Sequence, residues 1–530
     1  MKKAIALGIV LLFIAGGLGT AQLMTSQDED IPVTDTSTTV TVTPVTGEAQ
    51  TLSASPTMVE DAFRPVPQPL SVQVAGTADD EYHPTLASSG STYFVGYTLA
   101  PSLMQRNIAM ALSTDGGETF QPAGMWEIEG VEDYPSFSHW GGSTYYGSFS
   151  TISEPGYQYL LEVGDITDTE TWALAYYDWS DDGWTNIDSI DVACYNSQNA
   201  WEYGVMSCVA STTYGDYDIT NGPHMFFMDP ENEGQEYISW HDMSGCNQSA
   251  AAMDKQNDRF WCVYDIYNES MGSWDLFWWA RDFTDPLADG ASTAAMIQEN
   301  YNLRNPSVAA NGGNTAILCQ TDEIGNQDVS CLYSTDGGGT WEMADVAATS
   351  ANELYPDVAL SGDTLVATFV KDGNLYYTSS DDWGATWEEP EQINEEDGTV
   401  RSEYGTATAT PVGTIWSDMR NGNSDVFYES FPVPVIGVDA IAGGFGASAT
   451  VSNTGTAPAE NVAWTIELGG PVFLGSTAEG TIDSLAAGGS EEISTGLVLG
   501  IGPTDVTVTA SGASKTASGF VVGPFVLGLS

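Results

Sequence analysis

The sequence predicts an all-β protein: a propeller of seven four-stranded blades over residues 67–434, then a small β-sandwich over residues 435–530. Three observations carry this. Prolines open similar segments at positions 84, 135, 306 and 356, so a unit of about fifty residues recurs. Within each unit apolar and polar residues alternate with period two and are rich in β-branched and aromatic types, as half-buried strands require. The chain holds 56 glycines in 530 residues, which supply the tight turns that many short strands need.

Taken in order, the chain opens Met1-Lys2-Lys3, runs apolar from Ala4 to Leu18 and reaches Gly19-Thr20-Ala21. This is the pattern of a secretory signal, residues 1–21, with cleavage expected after Ala21; an uncleaved N-terminal anchor is the alternative and the one expected route to a membrane. Residues 22–66 are Thr-rich and too poor in apolar surface to fold, so they read as a disordered stalk. Leu70–Val74 alternates and is expected to supply the outer strand of the last blade, closing the ring.

The blade openings are Tyr82-His83-Pro84-Thr85, Asp133-Tyr134-Pro135-Ser136, Arg304-Asn305-Pro306-Ser307 and Leu354-Tyr355-Pro356-Asp357, with a weaker one at Glu403-Tyr404-Gly405. The gap between Pro135 and Pro306 fits three enlarged units, giving seven blades; six is the alternative count. In each clear unit a second strand follows, and a third begins at an Asp or Asn: Asn107, Asp275, Asp328, Asn374 and Asp425.

The third strand runs into S-x-D-x-G-x-T-[WF] at Ser113–Phe120, Ser334–Trp341 and Ser380–Trp387. These three copies resemble the Asp boxes, or BNR repeats, of sialidase-like β-propellers. The resemblance implies a propeller, with Asp115, Asp336 and Asp382 as structural turn residues lying away from any active site. It does not imply sialidase activity. A sialidase holds its substrate's carboxylate with three arginines, the first in an R-I-P opening, and here Tyr82 stands where that arginine belongs. Of seven arginines only Arg304 opens a blade in R-x-P form.

Residues 443–530 are rich in Gly, Ala, Thr, Val and Ser, with Lys515 as their single cation. Ala449–Gly455, Asn461–Ile466 and Leu485–Gly488 resemble an Ig-like sandwich of the CARDB type found on archaeal and bacterial surface proteins, which implies a spacer or adhesion module. The six cysteines are even in number, and none is spaced CxxC. In a secreted chain they are expected to pair as Cys319–Cys331, Cys194–Cys208 and Cys246–Cys262, with buried free thiols as the alternative.

Charge bounds the function. With 73 Asp and Glu against 12 Lys and Arg, the net charge of −61 leaves no basic surface for nucleic acid and suits a salt-rich medium. The blade openings offer acids and aromatics, namely Glu81, Tyr82, His83, Glu132, Asp133, Tyr134, Arg304, Glu353, Tyr355, Glu403 and Tyr404. If they ring the channel mouth, aromatic faces and carboxylate acceptors suit neutral sugars; they also suit Ca²⁺, the one cofactor admitted. The expectation is an extracellular or cell-surface protein that binds glycans or another surface component without catalysis. A glycoside hydrolase working through paired carboxylates, and a structural envelope protein, are the alternatives.

Overall fold

The computed structural model describes residues 71–530 apart from 127–129, 152, 154–155, 167–170, 197–203, 229–236, 283–291, 324, 432–435, 454–457, 487, 512 and 530. The expected leader and stalk lie outside the described residues. Two compact units part between Glu429 and Ser430.

The first unit consists of seven antiparallel sheets of four strands each. The innermost strands of blades 1 to 7 are Asp80–Ser89, Glu132–Gly141, Trp184–Cys194, Cys246–Asp254, Leu303–Asn311, Glu353–Ser361 and Ala407–Thr410. Blade 7 takes its outer strand from Val72–Ala75, which pairs with Asp425–Glu429 in the register Val72↔Tyr428, Gln73↔Phe427 and Ala75↔Val426. The ring is therefore closed by the segment expected to close it, and the blade count is seven rather than six.

Apolar residues of neighbouring blades interleave, so most strands are covered on both faces. Phe94, Ile108 and Met110 of blade 1 pack with Phe137, Phe149 and Leu161 of blade 2. Trp261 and Trp278 of blade 4 pack with Ile317 and Leu332 of blade 5. Phe137 fits only because Gly96 and Gly147 lack side chains: a Cβ there would lie 1.9 and 2.0 Å from its ring.

Packing alone lets blades slide, and the innermost strands carry a second device. One position recurs at the same place in each of them: Thr85, Ser136, Asp191, Ser249, Ser307, Asp357 and Ala407. Ser136 Oγ accepts from Val192 N at 3.0 Å and donates to Asp191 Oδ1 at 2.8 Å, while Asp191 Oδ2 accepts from Ala251 N at 2.8 Å. Blades 5, 6 and 7 repeat this. Ser307 Oγ accepts from Val358 N at 3.0 Å and donates to Asp357 Oδ1 at 2.5 Å, and Asp357 Oδ2 accepts from Ala409 N at 2.7 Å. Thr85 Oγ1 accepts from Phe137 N at 3.4 Å, and Thr408 Oγ1 donates to the Pro84 carbonyl at 2.7 Å. A belt of side-chain bonds thus bridges six of the seven blade junctions around the channel, and at the seventh, between blades 4 and 5, Asp265 of the second strand accepts from Asn305 N instead.

The three S-x-D-x-G-x-T turns share one bonding pattern. Ser113 Oγ donates to Asp115 Oδ1 (2.7 Å), Thr119 N and Oγ1 donate to the same carboxylate (3.0 and 2.6 Å), and Gly117 N donates back to Ser113 Oγ (2.9 Å). Asp336 and Asp382 repeat this with Ser334 and Thr340 and with Ser380 and Thr386. The Thr119 hydroxyl and N–H pull the Asp115 carboxyl down to about 2. Asp336 is lowered by Thr340 in the same way.

Two expectations are corrected. All six cysteines are buried free thiols. Cys319 pairs with Ser330 and Cys331 with Leu318, so a one-residue offset sends the two sulfurs to opposite faces of blade 5. Cys194 lies opposite Gly204, four residues from Cys208, and Cys246 opposite Ile266, four residues from Cys262; both separations exceed disulfide reach. The C-terminal unit has its own core, with Val451, Ile466, Val506 and Val521 fully buried. Its eight strands form one nearly closed antiparallel sheet rather than two stacked ones.

Two predictions follow from the turns and the belt. Asp336→Ala lowers the melting temperature at pH 7 and leaves ligand binding at the channel unchanged. The fold holds this carboxyl below its usual range, so its contribution is present above about pH 4 and fades as pH falls through the lowered value. The deficit of the variant should accordingly shrink at pH 2 in scanning calorimetry.

The belt acids behave oppositely. Burial lifts Asp191 to about 6 and Asp357 to about 7, against their hydroxyl and N–H donors. The folded chain therefore holds these protons more tightly than the unfolded one. That stabilisation is full below about pH 4 and is lost as pH rises through 6 to 7. Melting should be higher at pH 5 than at pH 8.5, and Asp357→Asn should reduce the difference. Asp357→Ala, which strands Ser307 Oγ and Ala409 N, should cost about 2–4 kcal/mol in urea unfolding.

Candidate ligand-binding site at the channel mouth

Each innermost strand but the seventh carries a bulge where it enters the sheet, between Tyr82 and Thr85, Asp133 and Ser136, Asp188 and Asp191, Cys246 and Ser249, Arg304 and Ser307, and Leu354 and Asp357. At five of these, a non-glycine residue takes a left-handed φ: His83 (48°), Tyr134 (52°), Ser189 (50°), Asn305 (51°) and Tyr355 (54°). Four of the five precede proline, which disfavours continuing the strand in helical geometry. Each such residue costs about 1–3 kcal/mol and persists only where its surroundings fix it. Here acceptors on the blades do so: Tyr134 N donates to Asp133 Oδ1 (2.9 Å), Asn305 N to Asp265 Oδ2 (3.2 Å) and Tyr355 N to Gln320 Oε1 (2.9 Å). Bulges of this kind re-aim side chains beside functional sites.

The re-aimed side chains meet in a cavity of about 380 Å³ on the channel axis, lined from all seven blades. His83 stacks on Tyr134, with ring centres 3.9 Å apart and planes 15° apart, and Tyr404 lies 6.2 Å beyond Tyr134. Tyr355 contributes a further phenol from blade 6. Asn186, Asn221, Asn247 and Gln248 supply amides, and Asp188, Asp191 and Asp357 supply carboxylates. Among the described residues, His83 apart, no basic residue lines the cavity. Burial, reinforced by nearby carboxylates, pushes the phenols of Tyr134 and Tyr404 up, so both present hydroxyls. Burial also raises Asp188, the most exposed of the three carboxyls, although Ser150 and the Ser189 N–H oppose it.

Behind the aromatic row lies a charged network. His83 Nδ1 is 2.6 Å from Asp133 Oδ1, which also accepts from Thr98 Oγ1 at 2.8 Å, and Arg106 pairs with the other Asp133 oxygen. Burial would raise Asp133, but these partners hold it below its usual range. On the other side of His83, Glu403 Oε1 lies 3.6 Å from Nε2 and pairs with Arg401 Nε at 2.5 Å. Tyr82 is buried between the two guanidinium groups, 4.6 Å from Arg401 and 5.9 Å from Arg106.

Of the residues expected at the mouth, His83, Tyr134, Tyr355 and Tyr404 line it. The other seven do not: Glu81 and Glu132 are buried. Tyr82 and Asp133 are buried behind the wall, and Glu403 backs His83. Glu353 is buried within blade 6, accepting from Thr349 Oγ1 at 2.5 Å with Lys371 Nζ at 3.9 Å. Arg304 stacks 4.3 Å over Trp274 and faces Asp265. Tyr82, Asp133, Arg304 and Leu354, which precede four of the five left-handed positions, stay out of the lining, whereas Asp188, which precedes Ser189, joins it. Sequence reasoning missed Asp188, Asp191, Asn247 and Gln248, because blades 3 and 4 carry Ile190 and Gln248 where the others have proline or glycine. Counting 55 residues on from Ser136 would have reached Asp191. Among the described residues no group of three or more His, Cys, Asp or Glu is placed to hold a metal ion.

No family model matches the chain. The chain is similar to the xyloglucanase of Hypocrea jecorina (strain QM6a), 26% identical over 268 residues, which make up 49% of this chain and 26% of that protein. It thus spans about a quarter of the length of the curated relative it matches. Among solved structures it is similar to the β-propeller domain of the Trilobed protease from Pyrococcus furiosus, 10% identical over 66% of this chain and 96% of that one, with a TM-score of 0.38. It is likewise similar to a thermostable family-43 glycoside hydrolase, 10% identical over 63% of this chain and 100% of that one (TM-score 0.35). A third is the Aleuria aurantia lectin AAL, 11% identical over 66% of this chain and 95% of that one (TM-score 0.35).

Proposed function

We propose that the chain is a carbohydrate-binding propeller, carried outside the cell, that takes an uncharged glycan in the channel mouth. The observation behind this is the wall: four ring side chains beside amides and carboxylates, with no lysine or arginine among the described residues. Ring faces cover the C–H faces of a pyranose, while carboxylates and amides take its hydroxyls. A sialoside would bring a carboxylate against Asp188, Asp191 and Asp357 with no paired guanidinium to receive it. The partner is a glycan or a surface protein that bears one. The apolar N-terminal run and Thr-rich stalk support export, and the Asp turns support kinship with sialidase-like repeats. The C-terminal unit serves in this reading as a surface module.

A second reading, a glycoside hydrolase, is favoured by the partial likeness to a xyloglucanase and by cavity carboxyls raised towards neutrality, as a general acid requires. Binding ranks above it because both oxygens of Asp191 and of Asp357 already accept belt hydrogen bonds.

Titration calorimetry against neutral oligosaccharides, xyloglucan fragments included, tests the binding reading. Tyr134→Ala/Tyr355→Ala should weaken any binding at least about tenfold, the loss of two stacking faces, with little change in melting temperature. A fluorogenic sialoside should not turn over between pH 4 and 8. Turnover of a neutral glycoside that Asp188→Asn abolishes would replace binding by hydrolysis.

A further inference from the structure

The outward face of the C-terminal sheet is divided in two. Along the paired strands Leu499–Ala510 and Ala513–Gly523, one half presents Asp505, Thr507, Thr516 and Ser518. The other half is apolar and exposed. Ile501 lies opposite Val522, Val522 opposite Phe525, and Phe525 opposite Phe445, whose ring meets it edge-on at 6.2 Å. Phe520 lies opposite Leu527, and Leu474 opposite Leu499. Directly opposed residues and residues two apart share a face, so these eight form one surface across five strands. Each is between 41% and 67% exposed.

Their exposed area is on the order of 900 Å², beyond the roughly 300–600 Å² of the largest patch on a typical monomer and close to the roughly 800 Å² each partner gives a specific interface. The flanking sequence is free of charge: residues 440–453, 468–478, 493–504 and 518–530 hold no Asp, Glu, Lys or Arg. The chain concentrates its acids elsewhere, since residues 430–530 carry eight acids and one lysine of a total net charge of −61. That lysine, Lys515, lies opposite Val508 at the polar end. No cation borders the apolar half to draw it to an anionic lipid surface, and no Trp or Tyr belongs to it. A second copy of the same face meets every condition: it is apolar, uncharged and of matching area, and two-fold pairing makes one patch serve both sides.

We propose that this face joins two copies of the chain in a symmetric dimer, apolar half against apolar half. Such a contact gains from salt, which screens the repulsion between two acidic bodies and strengthens apolar burial. Sedimentation of the full chain should show a dimer at micromolar concentration, its fraction rising with sodium chloride or sulfate. Ile501→Glu/Phe520→Glu should give a monomer of parental melting temperature, and the milder Ile501→Thr/Phe520→Thr should weaken dimerisation at least tenfold. Thr507→Glu/Thr516→Glu, on the polar half of the same face, should remain dimeric. A parent chain that stays monomeric at 100 µM in high salt would overturn the proposal. So would a dimer indifferent to both Ile501/Phe520 variants, or a monomer that floats with phosphatidylcholine vesicles.

Discussion

The first unit depends on a problem that a ring of separate sheets must solve. Within a blade the backbone ladder fixes every strand, but no ladder crosses from one blade to the next. Apolar packing between blades is strong and non-directional, so it sets spacing without setting height along the channel. The belt of Thr85, Ser136, Asp191, Ser307, Asp357 and Thr408 supplies the missing direction. Side-chain length tunes it. A serine reaches the N–H one residue past its counterpart in the next blade, as Ser136 does with Val192, whereas an aspartate reaches two past, as Asp191 does with Ala251. The same residues point at the cavity, so holding the ring and furnishing its floor are one task.

That arrangement explains why the mouth tolerates strain. Left-handed residues at five openings are stable because the belt lies immediately beyond them in sequence and pins the strand just past the bulge. What they expose is chemically mild: phenols, an imidazole, amides and carboxyls that burial pushes upward. The stronger charges, Arg106, Arg401, Asp133 and Glu403, are consumed in one another behind His83 and Tyr82. A strongly acidic protein thus keeps its channel nearer to neutral than its surface.

Much of this was legible in the sequence. The proline spacing announced the blades, the alternation at Leu70–Val74 announced the closing strand, and S-x-D-x-G-x-T announced three turns whose bonds repeat residue for residue. What was not legible depended on register. Whether Cys319 faces Cys331 turns on a one-residue offset in a hairpin, and a symmetric spacing about Gly325 does not reveal it. Whether Glu353 or Tyr355 faces the channel turns on a bulge, which reverses the alternation that a pattern reading extends. Blades 3 and 4 lost their opening prolines and with them the marker of Asp191 and Gln248, although fold and cavity kept the positions.

The closing strand has a mechanical consequence. Val72 pairs with Tyr428, so the chain enters the propeller at the same end of this strand pair as it leaves, after Glu429. Tension applied between residues 71 and 430 would not load the pairing in shear, where all its bonds resist together. It would peel Val72 from Tyr428 first and the remaining pairs in turn, opening the ring at blade 7 while the other six blades carry no load. The seam that completes the circle is therefore also its tear line, and in a stretched chain it would yield at a force set by single hydrogen-bonded pairs.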